Sequence, residues 1–309
     1  MKILQAKVSN IAEAAKIIRA GGLVIMPTET VYGLAADALN EEAVEKIFAA
    51  KSRPEENPLI VHIHEVEMLE VLTSEVPEEA LRLAERFWPG PLTLVLPKSE
   101  NISKRVTGGL DTVAVRMPAH PVALSLIKRA DRPIAAPSAN PFMGLSPTRV
   151  EHLDPKLVKA VDLVLDGGPS RIGLESTVVD CTAGHVQILR PGGISRGAIE
   201  AALGTRLLSP PTTGHRSPGM YARHYAPRAT VKLVESLAAN QPGLTLETPQ
   251  TPRQIKMPND PRAYSATLYD ALHRLDRLRV KTIYVQQPPA EPEWEAVLDR
   301  LTKASTPAS

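Results

Sequence analysis

The amino-acid sequence predicts an α/β protein, with a larger layered domain built on a twisted sheet and a second, smaller α/β unit. Short apolar runs that suit buried strands alternate with segments whose apolar residues recur at helical spacing. The composition changes near residue 208, where a stretch rich in proline, glycine and polar residues marks a linker. The length of 309 residues also favours two domains over one. We therefore predict domains at residues 1–208 and 229–305, joined by a linker at 209–228.

The first predicted domain alternates helices and strands from its beginning. Apolar residues at helical spacing predict a helix over residues 9–20, and the glycine pair at 21–22 ends it. The other predicted helices cover residues 41–51, 77–87, 122–129 and 195–203. The predicted strands cover residues 23–26, 59–63, 92–96, 112–115, 134–136, 162–166, 176–180 and 186–189. The sequence shows no internal repeat and no G-x-G-x-x-G pattern.

The second predicted unit is short, and its length is close to the lower limit for independent stability. Strands are expected at residues 230–234 and 282–285, and helices at 263–278 and 294–301. The segment 240–261 is rich in proline and polar residues, which predicts a loop or partial disorder. We therefore expect this unit to lean on the first domain.

Composition and charge exclude several classes of protein. The 36 basic residues are nearly balanced by 34 acidic ones, which argues against a surface that coats nucleic acid broadly. Cys181 is the only cysteine, so it forms no internal disulfide, and its place at the end of a predicted strand indicates a structural role. The chain begins without the apolar core of a signal peptide and contains no apolar run that could span a bilayer. These features predict a cytoplasmic protein without a membrane partner.

Five segments place polar residues at the ends of predicted strands, where ligands bind in open α/β sheets. Each segment alone can be explained as a turn capped by its own hydroxyl groups. Together they contain four cationic residues, and we find no matching acidic cluster in the same segments. The five segments are 27–33, 51–58, 108–116, 136–140 with 146–148 after it, and 173–180 with 190–193 after it. The sequence therefore predicts a concave, locally cationic site for a polyanion, with Lys51, Arg53, Arg116 and Arg190 around it.

Four residues in or beside these segments carry specific chemical expectations. Lys51 and Arg53 close a predicted helix, where cations are favoured by the helix dipole alone. However, the prolines at 54 and 58 fix the backbone that follows, and a lysine beside a forked guanidinium suits a triphosphate. Arg116 ends an apolar strand and needs an anion, because a buried unpaired charge is costly. His62 lies on a neighbouring predicted strand, where a simple core position is an open alternative.

In chain order, these segments resemble the L-threonylcarbamoyladenylate synthase family, in its long form with a C-terminal extension. The matching strings are PTETVYGL, KSRPEENPLIVH, GGLDTVAVRMP, APSAN, ESTVVD, ILRPGG and SPGMYARHYAP. The resemblance implies a YrdC-like twisted mixed sheet with flanking helices, followed by a small Rossmann-like domain that is trimmed at 240–261. It also implies the reaction of L-threonine, bicarbonate (as carbon dioxide) and ATP to threonylcarbamoyl-AMP and pyrophosphate. A downstream transfer machinery would then use the product to modify an adenosine in tRNA.

The resemblance also assigns roles to residues. It implies a phosphate clamp of Lys51 and Arg53, acting with Mg²⁺ that accompanies ATP, and a lid formed by the linker. It implies a threonine site made of Thr30, His62, Arg116 and Thr177, with Arg116 on the carboxylate. It implies an ATP site made of Arg53, Asn57, Thr112, Ser138, Asn140, Ser146 and Arg190, with Tyr225 reaching the nucleotide from the linker.

Two other functions remain open at this point. The same fold could be a non-catalytic RNA-binding module, or the enzyme could make a weak contact with tRNA. The near-neutral net charge and the aromatic content of 4% argue against the module, because single-strand binders stack bases on aromatic side chains. A related enzyme that handles carbamoyl phosphate is the second alternative, and the absence of cysteine-rich zinc segments argues against it.

Overall fold

The chain folds around two β-sheets in the part that the structure, a computed structural model, describes: residues 2–182, 184–207, 221 and 223–307. The strands are β1 (Lys2–Gln5), β2 (Val24–Met26), β3 (Gly33–Asp37), β4 (Ile60–His62), β5 (Leu92–Pro97), β6 (Thr112–Arg116), β7 (Ile134–Ala135), β8 (Leu163–Asp166), β9 (Thr177–Asp180), β10 (Gln187–Arg190), β11 (Thr230–Val234), β12 (Gly243–Thr245), β13 (Gln254–Lys256) and β14 (Thr282–Gln286). The helices are α1 (Val8–Arg19), α2 (Glu41–Lys51), α3 (Leu69–Leu72), α4 (Glu78–Phe87), α5 (Lys104–Thr107), α6 (Pro121–Ala130), α7 (Pro155–Lys159), α8 (Arg196–Leu203), α9 (Pro261–Arg277) and α10 (Glu295–Ser305).

The first sheet has ten strands in the order β1-β8-β2-β3-β7-β4-β6-β5-β9-β10 and mixes parallel with antiparallel pairs. Its two faces carry separate apolar clusters, because successive side chains of a strand point to opposite sides. On β2, Val24 and Met26 belong to the cluster that contains residues of α1 and α6. Ile25 belongs to the other cluster, with residues of α2, α4 and α8. The predicted α/β fold with flanking helices is therefore confirmed.

Two strands of this sheet are missing from the sequence prediction. Strand β1 lies at the sheet edge and is largely exposed, so it shows no apolar alternation. Strand β3 follows the polar segment 27–33 and contains two alanines, which have low strand propensity. It forms because every residue is buried and because it pairs antiparallel with both β2 and β7.

The second sheet is parallel, with the order β11-β14-β12-β13, as expected for a small Rossmann-like unit. The prediction of a loop or partial disorder over 240–261 is wrong, because β12 and β13 lie there. These strands have only three residues each, too few for a periodic signal, and pairing with β14 supports them. Gly243 makes the pairing possible, since a Cβ at this position would lie 1.9 Å from the Tyr284 carbonyl oxygen.

The two sheets belong to units that pack tightly against each other. The apolar core of the second unit includes Val31, Leu145 and Leu174 from the first. Gly173 approaches helix α9 so closely that a Cβ would lie 2.5 Å from the Ser265 carbonyl oxygen. The second unit therefore completes its core with residues of the first. Most of the predicted linker, residues 209–220 and 222, lies outside the described residues.

A pair of stacked histidines crosses this interface and makes its stability dependent on pH. The rings of His152 and His273 lie 4.0 Å apart at 15°. His152 Nε2 lies 3.1 Å from Asp270 Oδ1, and His273 Nε2 lies 3.2 Å from the Ser146 carbonyl oxygen. Arg149 and Arg277 also face the pair. Burial and the neighbouring His273 ring lower the pKa of His152 to about 3, and burial lowers the pKa of His273 to about 4.

We expect the melting temperature to fall by about 5 °C between pH 6.5 and pH 4 because of these histidines. A histidine in the unfolded chain takes up a proton near pH 6.5, whereas the folded pair resists protonation until lower pH. The unfolded state therefore binds more protons in this window, and stability falls as the pH falls. Calorimetry should show a smaller loss in His273→Gln. The same substitution at the exposed His185 is the control and should retain the full loss.

Candidate functional site

A cavity opens in the first unit beside the ends of β2, β6, β7 and β10, and the chain segment that contains His224 and Tyr225 covers one side of it. It has about 580 Å³ of space, including its open mouth. The residues predicted from sequence that line it are Thr30, Arg53, His62, Arg116, Ser138, Arg190 and Tyr225. Loop ends from distant parts of the sequence thus meet at one place, as the strand-end argument requires.

Lys51 lies behind one wall of the cavity, at the end of α2. The helix ends there because Ser52 adopts a left-handed conformation with φ 50°. The buried Lys51 Nζ donates to the carbonyl oxygens of Ser138, at 2.5 Å, and Asn140. Burial, and then the nearby Arg53 charge, hold the pKa of Lys51 well below its usual range. Lys51 therefore supports the loop that carries Ser138 into the cavity wall.

Arg53 lies in the cavity wall and is held by the backbone that the two prolines fix. Its Nη2 donates to the Pro58 carbonyl oxygen at 3.0 Å, and its Nε donates to the Asn57 carbonyl oxygen at 3.4 Å. Its guanidinium lies 6.0 Å from the Phe142 ring centroid. Burial lowers the pKa of Arg53 to about 10, which still leaves the side chain cationic at neutral pH.

Arg116 meets a buried carboxylate that the sequence analysis did not identify. Its Nη2 donates to Glu29 Oε1 at 2.5 Å, its Nη1 to Thr30 Oγ1 at 2.9 Å, and its Nε to the Gly90 carbonyl oxygen at 3.2 Å. Burial raises the pKa of Glu29, but the Arg116 charge and hydrogen bonds outweigh it, and the pKa lies below its usual value. Oε2 of Glu29 is buried and has no hydrogen-bond partner among the described residues.

His62 lies beside this pair, because β4 runs parallel to β6 with His62 in register with Arg116. The imidazole is buried and its Nδ1 has no hydrogen-bond partner in the described part of the chain. Burial, followed by the Arg116 charge, lowers the pKa of His62 to about 3. His62 is therefore a neutral ring in the cavity wall and not merely a core residue.

A second buried carboxylate, Glu175, lies next to Arg190 in the cavity wall. Its oxygens accept hydrogen bonds from Ser146 at 2.5 Å and from Tyr269 at 3.1 and 3.2 Å, and Arg300 Nε lies 2.7 Å from Oε2. Burial alone would raise the pKa of Glu175, but the Arg300 and Arg190 charges lower it to about 2. Arg190 itself donates to the carbonyl oxygen of Ser176 at 2.9 Å and to its hydroxyl at 3.1 Å.

The sequence analysis finds no acidic cluster to match the cationic residues, but two single acids are paired with buried arginines in the structure. Glu29 and Glu175 lie within two of the five segments, and each forms an ion pair with a buried arginine. A single carboxylate among threonines and serines gives no cluster in the sequence. The partner of Glu175 is Arg300, which lies 125 positions further along the chain.

The segment after the linker contributes aromatic rings to the site. Tyr225 is buried with φ 57°, and its ring lies 4.1 Å from that of His224 and 4.8 Å from the Arg300 guanidinium carbon. Burial lowers the pKa of His224 to about 3, so this ring is neutral. Both residues line the cavity, so the position predicted for Tyr225 beside the site agrees with the structure.

Several predicted site residues do not line the cavity. Thr112 lies at the opposite end of β6 from Arg116, where it pairs with Pro97. The Thr177 hydroxyl donates to the Ile194 carbonyl oxygen at 2.7 Å and accepts from the Ile194 backbone N–H at 2.9 Å.

Asn57, Asn140 and Ser146 support neighbouring groups instead. Asn57 offers its carbonyl oxygen to Arg53, and the Asn140 amide donates to the Pro141 and Gly144 carbonyl oxygens at 2.8 and 3.0 Å. Ser146 donates to Glu175.

The described residues also bear on three other features: a metal site, a reactive thiol and a membrane-spanning helix. In that part of the chain, no group of three or more His, Cys, Asp or Glu side chains could hold a metal ion. Burial raises the pKa of Cys181 to about 12, so this residue stays a thiol, as a structural role requires. Of the helices that the structure describes, none has the length and apolar character needed to cross a bilayer.

Comparisons with known proteins agree with this arrangement. Residues 16–192 match the Sua5/YciO/YrdC family, described as "Telomere recombination", and residues 194–306 match the family "Threonylcarbamoyl-AMP synthase, C-terminal domain". The threonylcarbamoyl-AMP synthase of Bacillus subtilis is 43% identical over 96% of this chain and 93% of its own length. That of Pyrococcus abyssi is 55% identical over 72% of this chain and 67% of its own length.

Solved structures extend the likeness to three dimensions. The crystal structure of Pyrococcus abyssi Sua5 complexed with L-threonine is 42% identical, has a TM-score of 0.91, and matches 99% of this chain and 98% of that one. Full-length HypF in the phosphate- and nucleotide-bound form is 27% identical, with a TM-score of 0.52, over 58% of this chain and 28% of that one. The cavity, its position in the fold and both family matches lead to one conclusion: this chain belongs to the threonylcarbamoyl-AMP synthase family, in the form that carries the C-terminal domain.

Proposed function

We propose that this protein makes threonylcarbamoyl-AMP and pyrophosphate from L-threonine, bicarbonate and ATP. The observation that carries the proposal is the convergence of Arg53, Arg116 and Arg190 on one cavity, with Lys51 directly behind its wall. The names of the relatives and the threonine complex of the similar structure support it. A polyanion and a zwitterionic amino acid are the substrates that such a cavity suits.

The proposed threonine end of the cavity is the group around Arg116. A guanidinium has five N–H groups, and three of those of Arg116 are used by Glu29, Thr30 and Gly90. The remaining two can hold the carboxylate of threonine as a fork. Glu29 holds Arg116 in place but does not itself line the cavity, whereas His62 lies in the cavity wall beside Arg116. The fork of Arg116 thus matches the carboxylate of an amino acid.

The proposed ATP end lies toward Arg53, Ser138 and Arg190, with Tyr225 from the segment after the linker. The amino group of threonine adds to carbon dioxide and loses a proton, which gives a carbamate. A carbamate oxygen then attacks the α-phosphorus as the bond to the pyrophosphate oxygen breaks. Such a transfer needs mainly alignment and neutralisation of charge, which the arginines supply. No covalent nucleophile is required, in agreement with the inert thiol of Cys181.

We treat Mg²⁺ as part of the substrate, because it accompanies ATP. Among the described residues, Glu175 is the carboxylate that lines the cavity and Glu29 is buried against Arg116, and each is already engaged by an arginine. The described residues thus do not fit a resident magnesium site. Magnesium commonly keeps several waters and is held largely by substrate phosphates.

We also propose that the linker 209–228, between domains at 1–208 and 229–305, acts as a lid. A carbamate is unstable in water, so exclusion of solvent has a chemical purpose. The position of His224 and Tyr225 against the cavity supports this role for the end of the linker. The product would pass to a tRNA-modifying machinery in the cytosol, where a chain with a single buried cysteine needs no oxidising compartment.

A direct assay tests the function. Purified protein is mixed with ATP, bicarbonate and one amino acid at a time, and the adenylate is detected by mass together with released pyrophosphate. We expect threonine-dependent release of pyrophosphate, and serine to be used with kcat/KM lower by roughly 10- to 200-fold, because one methyl group distinguishes them. An RNA-binding module would release none. Release that depends on carbamoyl phosphate and not on threonine would favour the second alternative.

A further inference from the structure

One arginine of the second unit reaches into the wall of the cavity in the first. Arg300, on α10, is 1% exposed. Its Nε lies 2.7 Å from Glu175 Oε2, and its guanidinium carbon lies 4.8 Å from the centre of the Tyr225 ring. Glu175 and Tyr225 both line the cavity, although they come from different segments of the chain. Arg300 therefore touches two parts of the cavity wall without lining the cavity itself.

The charges around Arg300 nearly cancel. Its Nη1 lies 2.5 Å from Asp299 Oδ2, and Lys303 Nζ lies 2.7 Å from Asp299 Oδ1. Two carboxylates, Glu175 and Asp299, thus face two cations, Arg300 and Lys303. Within this group the two positive and the two negative charges balance.

Without Arg300, Arg190 would be left to balance the Glu175 carboxylate in the cavity wall. Among the described residues, the other hydrogen bonds that Glu175 accepts come from the hydroxyls of Ser146 and Tyr269, which are neutral donors. A carboxylate in a buried wall would repel a polyphosphate and would attract the guanidinium of Arg190 away from it. A cation from the second unit therefore balances Glu175 and keeps this end of the cavity suited to an anion.

We propose that Arg300 is a positioning residue for the nucleotide, supplied by the second unit: it neutralises Glu175 and packs against the Tyr225 ring that borders the cavity. This inference rests on the proposed function, because it assumes that ATP occupies this end. It gives the second unit a role in the site beyond its packing. Arg300 can neutralise the Glu175 carboxylate in the cavity wall only when α10 packs against the first unit.

The test is the kinetics of Arg300→Gln in the full-length protein. We expect the KM for ATP to rise about 10-fold or more, while the KM for threonine changes by less than about 2-fold, because Arg116 lies at the other end. The double variant Glu175→Gln/Arg300→Gln should bring the KM for ATP back to within a few-fold of the original value, since it removes the unpaired carboxylate. Arg300→Lys, which keeps the charge, should be intermediate.

The matched control is Arg277→Gln. Arg277 also belongs to the second unit and donates across the interface, to the Glu151 carbonyl oxygen, but it does not line the cavity. It should leave the KM for ATP unchanged. An unchanged KM for ATP in folded Arg300→Gln would overturn the proposal. So would a double variant that is no better than the single one, because that result describes a purely structural contact.

Calorimetric titration with ATP separates this inference from the proposed function. If the unsubstituted protein binds ATP but makes no adenylate, the proposed reaction fails, and the ATP dissociation constants of the same variants still test Arg300. If it binds no ATP, both proposals are overturned. Should Arg300→Gln not fold, the folded double variant carries the test: near-normal ATP binding by it supports the inference, and weak ATP binding by it overturns the inference.

Discussion

The variant Lys51→Met should lose at least about 100-fold in threonine-dependent pyrophosphate release. Lys51 Nζ donates to the carbonyl oxygens of Ser138 and Asn140, so its removal frees the loop that forms one wall of the cavity. It also removes a charge next to Arg53. Initial rates and a melting curve measure the two effects.

The same variant should also lose stability, by about 1–3 kcal/mol, because two carbonyl oxygens lose their partner. The matched control is Lys46→Met on the same helix. Lys46 likewise donates to a backbone carbonyl oxygen, that of Gly21 at 2.8 Å, but it lies away from the cavity. We expect a smaller loss of stability, because Lys46 is exposed and makes one such bond where the buried Lys51 makes two, and we expect unchanged turnover. Near-normal turnover in Lys51→Met would refute the phosphate clamp.

Much of this site follows from the sequence, because it depends on strand ends. Arg53, Arg116 and Arg190 each lie just after or at the end of a regular element, and such ends meet on one side of a sheet. The long helix α9 is equally clear, since its buried residues repeat at helical spacing. Such local patterns arise because one face of the element is buried, and the spacing of apolar residues along the sequence shows which face that is.

The sequence does not show which residues that are far apart along the chain pair with each other in the fold. Glu175 is neutralised by Arg300 and Glu29 by Arg116, and neither pair has a local signal. The strands β12 and β13 are similar, because they exist through pairing with β14 and not through their own composition. Thr112 does not reach the cavity, because it lies at the start of β6 and Arg116 lies at its end.

Replacing Arg116 by methionine should have the largest effect on the fold, a loss of about 3–5 kcal/mol in the free energy of unfolding. Glu29 is 1% exposed, and without Arg116 its carboxylate would be buried without a cation. Turnover of threonine should also be abolished, because the fork for its carboxylate is gone. Urea denaturation and kcat/KM for threonine measure the two losses. Arg132→Met, which removes a long ion pair between an exposed arginine and Asp37 at 3.5 Å, is the control and should cost less than about 1 kcal/mol.

The double variant Glu29→Gln/Arg116→Met separates the two roles of Arg116. A glutamine at position 29 carries no charge, so most of the lost stability should return. Turnover should not return, because the substrate carboxylate still lacks its partner. If turnover recovered together with stability, Arg116 would be only the counter-ion of Glu29, and the threonine site would have to be sought elsewhere in the cavity.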